Sequence, residues 1–342
     1  MVRRPTRAGH APGPANARRA PAVLVALCLF LLSGCGPLGE VKGDSGGSTA
    51  PEPTTIDVGI MPSVDVAPLH LAMREGYFER AGLRVEPRTI SGGADGIPLL
   101  NNGSLDITFS NWVTFFRAQQ REGVELRAVS DGYQADTGTL LLMHMPGGPV
   151  SSPSDLAGEK IAVNTRSNIT ELTTSVTLKT HGLQPSDVEF VVMDFSEMPA
   201  ALQRGDVAAA AMIEPFASRA NRLGAETLAD TAKGPTTGMP IAGYASTRQW
   251  VERHRDAAAR FQRVMARAQA EVGKDRGKVE DLLPQYTEID PSTAALVNIG
   301  SYPTTLDASR LERVVELMRS HGVLPSGDVD VESMLFEAPP KK

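Results

Sequence analysis

The chain has 342 residues, 34 of them basic and 40 acidic, and a net charge of −6 with neutral histidines. An acidic chain lacks the basic footprint that nucleic-acid binding requires, so no nucleic-acid partner is expected. Its two cysteines, Cys28 and Cys35, both lie near the amino terminus; the rest of the chain has no disulfide or thiol-held metal to lean on and must stand on its own apolar core.

In chain order, the first 34 residues carry Arg3, Arg4, Arg7, Arg18 and Arg19 and no acidic residue. An apolar run from Ala22 to Leu32 follows, about half the roughly 20 residues a helix needs to cross a bilayer. A basic flank before a short apolar run is the order of a secretory signal. Leu32-Ser33-Gly34-Cys35 resembles a bacterial lipobox, which predicts cleavage before Cys35, a lipid on its thiol and residence at the outer face of the cell membrane. The long basic stretch leaves open whether Met1 is the true start, and Arg18-Arg19 leaves twin-arginine export as a weaker alternative. Residues 35–54 are rich in Gly, Ser, Pro and Thr and read as a flexible tether that buries too little apolar surface to fold. Loss of the five arginines with residues 1–34 leaves 29 basic residues against 40 acidic ones, a net charge of about −11.

From there strands and helices alternate. Strands are predicted over 56–60, 83–90, 105–109, 125–129 and 139–145, with helices over 67–80, 94–102 and 112–121 between them. A second group opens at Ser152-Pro-Ser-Asp155, with strands over 160–164, 188–193, 207–213 and 241–246 and helices over 169–181, 198–204 and 215–222. The remainder is helical, over 257–272, 278–286, 291–299 and 308–320. Strands separated by helices predict parallel pairing with right-handed crossovers. The expected fold class is α/β, with two lobes joined by two crossings, at 145–148 and 234–238, where Gly and Pro suit hinges. The first lobe takes 55–145 and 240–342, and the second takes 146–239. No nucleotide-binding Gly-Lys-Thr/Ser loop, His-Glu-x-x-His or Gly-x-Ser-x-Gly is present, and the six histidines are scattered, so neither a cofactor nor a metal is expected.

Four blocks, in order, resemble the ABC-transporter substrate-binding proteins of the nitrate/sulfonate/taurine/thiamine-precursor family. They run from Gly59 to Leu83 (with Ala67-Pro68-Leu69 and Gly76-Tyr77-Phe78), from Gly92 to Ile107, from Asp155 to Val163, and from Leu202 to Glu214-Pro215-Phe216. The resemblance implies a periplasmic-binding-protein fold of the type II class, a small-molecule ligand between the lobes, no catalysis, and delivery by a monomer to an ABC permease and its ATPase. Two alternatives stand beside it: an enzyme on the same fold, such as a pyrimidine synthase or lyase, and a sensory lipoprotein without transport.

Ligands in open α/β sheets bind at the carboxyl ends of strands. The candidate ligand residues are therefore Ser63 and Asp65; Ser110, Asn111 and Trp112; Asn164, Ser167 and Asn168; Asp194; Glu214; and Met239 at the return crossing. Ser110 to Trp112 opens a helix whose N–H groups suit an anionic or polar group, and Trp112 offers either a stacking wall or simple packing. Ser167 or Asn168 suits an N-cap, and Glu214 suits capping of the helix that follows Pro215. Arg166 is a candidate anion clamp or an outward-pointing surface residue. Sulfonates, taurine or nitrate suit the helix N-termini. A pyrimidine thiamine precursor suits Trp112 with the polar and acidic groups. Asp65, Asp194 and Glu214 weigh against a bare anion unless they are paired or turned away.

Overall fold

The computed structural model describes residues 52–339 apart from 122 and 325–328. Cys35, the signal segment and nearly all of the tether lie outside the described residues. The chain opens with β1 (Thr54–Ile60), α1 (Ala67–Arg74), α2 (Tyr77–Arg80), β2 (Leu83–Thr89), α3 (Gly96–Asn101), β3 (Ile107–Asn111), α4 (Trp112–Gln119) and β4 (Leu126–Gln134). A second group follows: β5 (Leu140–His144), β6 (Lys160–Val163), α5 (Ile169–Thr180), β7 (Glu189–Val192), α6 (Met198–Arg204), β8 (Ala209–Ile213), α7 (Phe216–Arg222) and β9 (Glu226–Asp230). The chain then returns through β10 (Pro240–Thr247). It ends in α8 (Arg248–Arg253), α9 (Arg255–Val272), α10 (Arg276–Tyr286), α11 (Pro291–Ala294), α12 (Ala308–Ser320) and α13 (Val331–Met334).

These strands form two five-stranded sheets, ordered β2-β1-β3-β10-β4 and β7-β6-β8-β5-β9. Parallel pairing holds where helices intervene: β1 with β2 and β3, and β6 with β7 and β8. The strands at the crossings, β10 and β5, pair antiparallel with both neighbours. Each sheet is therefore mixed, with each lobe receiving a strand that arrives from the other side.

The first crossing differs from the sequence expectation. Residues 139–145 read as a strand of the first lobe, but β5 pairs with β8 and β9 in the second sheet. The chain leaves the first sheet at 135–139, not at 145–148, and returns through 231–239. The two crossings run side by side, joined where Ala135 N–H donates to Met239 O at 2.8 Å.

Local chemistry explains the other differences. The helix expected over 67–80 breaks at Gly76, whose φ of 63° is left-handed, a conformation that costs other residues about 1–2 kcal/mol. The strand β4 runs on to Gln134 because β10 pairs along its whole length. In the first lobe, α1 and α9 lie on one face of the sheet, where Phe78 meets Phe261 with ring centroids 5.5 Å apart. On the other face lies α4, where Trp112, Phe115 and Phe116 are all 1% exposed or less. Burial of side chains this size contributes about 1.5–3 kcal/mol each.

Candidate ligand site between the lobes

The carboxyl ends of β1, β2, β7 and β8 converge on a cavity of about 420 Å³. Met61, Pro62 and Ile90 line it from the first lobe, Phe195 and Phe216 from the second, and Tyr286 from the end of α10. Phe195 and Phe216 stack with centroids 5.4 Å apart and planes 18° apart. Tyr286 is fixed on both sides. Its ring stacks on His70 at 3.8 Å, and its hydroxyl donates to Ser63 O at 3.1 Å. Asp194, Arg219 and Glu288 also border the cavity, and Arg219 Nη1 lies 3.4 Å from Glu288 Oε2.

Two buried carboxyls stand behind these walls. Asp65, 4% exposed, belongs to the turn that links β1 to α1. Tyr302 holds that turn by donating to Val64 O at 2.9 Å. Burial pushes the Asp65 carboxyl up to about 7, against the pull of its own backbone N–H and of Ser63. No lysine or arginine pairs with it among the described residues. Four of the chain's five tyrosines, Tyr133, Tyr244, Tyr286 and Tyr302, are pushed well above the usual phenol value by burial and by the charge of Asp65. Glu214 is 1% exposed. Its Oε1 accepts from Asn298 N (3.0 Å) and Nδ2 (3.2 Å), and its Oε2 from Ser218 N (3.1 Å). Burial raises this carboxyl too, against those bonds. Glu214 thus caps α7, with Pro215 at the N-cap position rather than at the first helical residue, and it ties the second lobe to the segment before α12.

The remaining candidates take other roles. Trp112, proposed as a stacking wall, is 0% exposed and packs inside the first lobe; a Cβ on Gly243 would lie 2.4 Å from its ring. Helix α4 places it on the sheet face rather than at the strand ends. Asn111 is the last residue of β3, and its side chain caps α4 by accepting from Thr114 N at 2.9 Å. Asn168 caps α5 by accepting from Glu171 N at 3.1 Å. Ser167 N–H donates to Glu171 Oε2 at 2.6 Å, and its carbonyl accepts from Arg117 at 3.3 Å across the lobes. Arg166 pairs with Glu171 at 2.9 Å and is 56% exposed, so it faces outward. Met239 is 2% exposed and serves the hinge through its carbonyl. Ser110 and Asn164 meet the loop after β2, which slides between the lobes on bare backbone. A Cβ on Gly93 would lie 2.2 Å from Ser110 Oγ, and one on Gly92 3.2 Å from Asn164 Oδ1. Ser63 is 0% exposed and reaches Tyr286 through its carbonyl.

Of the candidates, then, Asp194 lines the cavity, while Asp65 and Glu214 are buried and outside its lining. Phe195, Phe216 and Tyr286 were missed. Each of the two phenylalanines lies within two residues of a nominated acid, and polar strand-end residues drew the selection past them. Tyr286 ends a helix late in the chain, and no local signal brings it to the cleft. No group of three His, Cys, Asp or Glu that could hold a metal occurs among the described residues, and no described helix is long and apolar enough to cross a membrane.

Two α/β lobes, crossed twice by the chain and enclosing a cavity at their strand ends, define the periplasmic-binding-protein class. Within it, the chain belongs to the NMT1/THI5-like family, whose model matches residues 63–275. Among solved structures it is similar to the alkanesulfonate-binding protein SsuA from Xanthomonas axonopodis pv. citri bound to MOPS, at 20% identity and a TM-score of 0.70 over 84% of this chain and 99% of that one. It is also similar to the periplasmic aliphatic sulphonate-binding protein SsuA from Escherichia coli, at 18% identity and a TM-score of 0.65 over 82% and 97%. The nitrate-binding protein NrtA from Synechocystis PCC 6803 matches at 14% identity and a TM-score of 0.70 over 83% and 85%. At these identities the likeness establishes the shared fold. All three are binding proteins rather than enzymes. Comparison with curated proteins finds no match.

Proposed function

We propose that the chain is the extracytoplasmic solute-binding component of an ABC importer. It captures a small organic molecule between its lobes and hands it to a permease driven by an ATPase. The carrying observation is the cavity of about 420 Å³. Both lobes build it, and it lies in the size range of small-molecule sites, about 300–1,000 Å³. Walls of Phe195, Phe216, Tyr286 and Ile90 favour an organic body over a bare inorganic ion such as nitrate. A lipid on Cys35 and a tether over 35–54 would keep the clamp near its permease, raising its effective concentration there.

A thermal-shift screen against sulfonates, nitrate, pyrimidines and amines tests the reading. Saturable binding to the folded form adds RT ln(1 + [L]/Kd), about 2.7 kcal/mol at a hundredfold excess over Kd, and the melting temperature rises with ligand concentration. Turnover of a bound compound in the purified sample would instead support an enzyme. The anchor has its own test: Cys35→Ser should abolish labelling by a palmitate analogue and release the protein from the membrane fraction.

A further inference from the structure

The charges around the cavity are unbalanced. Asp194 and Glu288 stand at its rim, and Asp65 and Glu214 lie buried behind its walls. Among the described residues the single cation lining it is Arg219, which faces Glu288. The neighbouring Arg222 is held by Asp290 at 2.5 Å, and Arg166 is turned outward onto Glu171. Arg219 and Glu288 offset each other, Asp65 and Glu214 are pushed toward their neutral forms by burial, and Asp194 is left as the lining carboxylate that faces no cation among the described residues.

We infer that this cavity selects a positively charged organic ligand of the alkylammonium class, seated against the rings of Phe195, Phe216 and Tyr286 with its charge toward Asp194. The inference rests on the solute-binding reading above and names the ligand class of that same site. An ammonium spreads its charge over adjoining C–H groups and is attracted by aromatic faces. A metal ion needs a shell of oxygen ligands, whereas these walls are mostly carbon. An anion would meet Asp194 and Glu288 at the lining, where among the described residues Arg219 alone could receive it and already faces Glu288. Burial pushes Asp65 and Glu214 upward, and a cation held nearby by the ligand would favour their ionised forms.

The test is isothermal titration of the purified folded protein at fixed ionic strength. The probes are tetramethylammonium, choline and butylamine on one side, and methanesulfonate, nitrate and an uncharged pyrimidine on the other. The expected result is saturable binding of at least one ammonium probe, weakened about fivefold by Asp194→Asn. Phe195→Leu keeps apolar volume but removes a ring, and should weaken the ammonium by a similar factor. Asp194 is exposed, so its variant keeps the test decisive if Phe195→Leu fails to fold. Binding of the sulfonate, nitrate or pyrimidine without any ammonium overturns the charge inference and leaves the solute-binding reading intact. Ammonium binding indifferent to both substitutions overturns the placement. No binding in either set overturns both readings.

Discussion

Asp65 shows how one residue links stability to ligand. Its carboxyl sits at about 7 where the ordinary value is 3.8, so the folded state holds the proton more tightly than the unfolded state does. The group therefore favours folding most below pH ~4 and loses that contribution as pH climbs to ~7. Asp65→Asn removes the loss. The variant should match the wild type near pH 4 and exceed it at pH 8 by up to about 4 kcal/mol, at 1.36 kcal/mol per pH unit. Urea denaturation at the two pH values measures this, and a difference that does not change with pH would contradict it. Other groups near Asp65 also change charge between about pH 4 and about pH 7, so the variant is compared with the wild type at each pH, where their contributions cancel. His70 is held neutral by burial, at about 4, and the four tyrosines are pushed upward. The other buried carboxyl nearby, Glu214, is also raised. An ammonium ligand should then bind more tightly at pH 8 than at pH 6, releasing protons as it does so. Glu214 gives a second residue-level prediction. Glu214→Ala leaves Asn298 N–H and Ser218 N–H without their acceptor, at an expected cost of about 1–3 kcal/mol in denaturant titration. The sequence rule of strand ends selects for position: of the acids it named, Asp194 lines the cavity and Asp65 and Glu214 are buried outside its lining. It misplaced Trp112 because position alone does not say which way a side chain leaves the strand end.

Among the elements, apolar periodicity located nearly every buried strand and long helix, and it failed where the signal is tertiary. The edge strand β9 reads Glu-Thr-Leu-Ala-Asp; it pairs only with β5 and carries little apolar alternation. The run Leu-Leu-Leu-Met-His of β5 is buried along its whole length, and nothing within it says which sheet it will join. The crossing was therefore misplaced by about one strand, although the two-lobed architecture was legible. The Asn168 cap was legible too, whereas Asn111 was expected at the ligand and caps α4 instead. Asn111 and Asn168 each accept from a backbone N–H three residues on, and alanine at either position should cost about 0.5–2 kcal/mol. Thermal melts of the single variants check the magnitude, and unchanged melting would mean that the helix starts are satisfied by water.

For the whole molecule, the two lobes are bridged at two places. On one side Arg219 reaches Glu288 and Arg222 reaches Asp290; on the other Arg117 reaches the carbonyl of Ser167. The two ion pairs are solvent-exposed, worth about 0–1 kcal/mol each. Arg222→Ala should thus shift the open-to-closed ratio by no more than about fivefold. Single-molecule distance measurements between labels on the two lobes would read that shift, and high salt should reduce the difference. Glu214, bonded to Asn298 beneath these pairs, should matter more. Locks this weak leave closure free to respond to ligand, because a population moves only by the ligand's differential affinity for the two states.

The side-by-side crossings have a mechanical consequence. The first strand, β1, lies in the sheet of the first lobe, and the last helix, α13, packs on β4 of the same sheet. The second lobe is thus an insertion, reached and left through one pair of adjoining strands. A pull on the chain upstream of Thr54 enters β1 and is borne by its pairing with β2 and β3, without loading the gap between the lobes. Thermal buffeting of an anchored molecule would then drag the first lobe about while the second swings like a page on its spine, and grip on the solute would be the same whether the protein is moored or adrift.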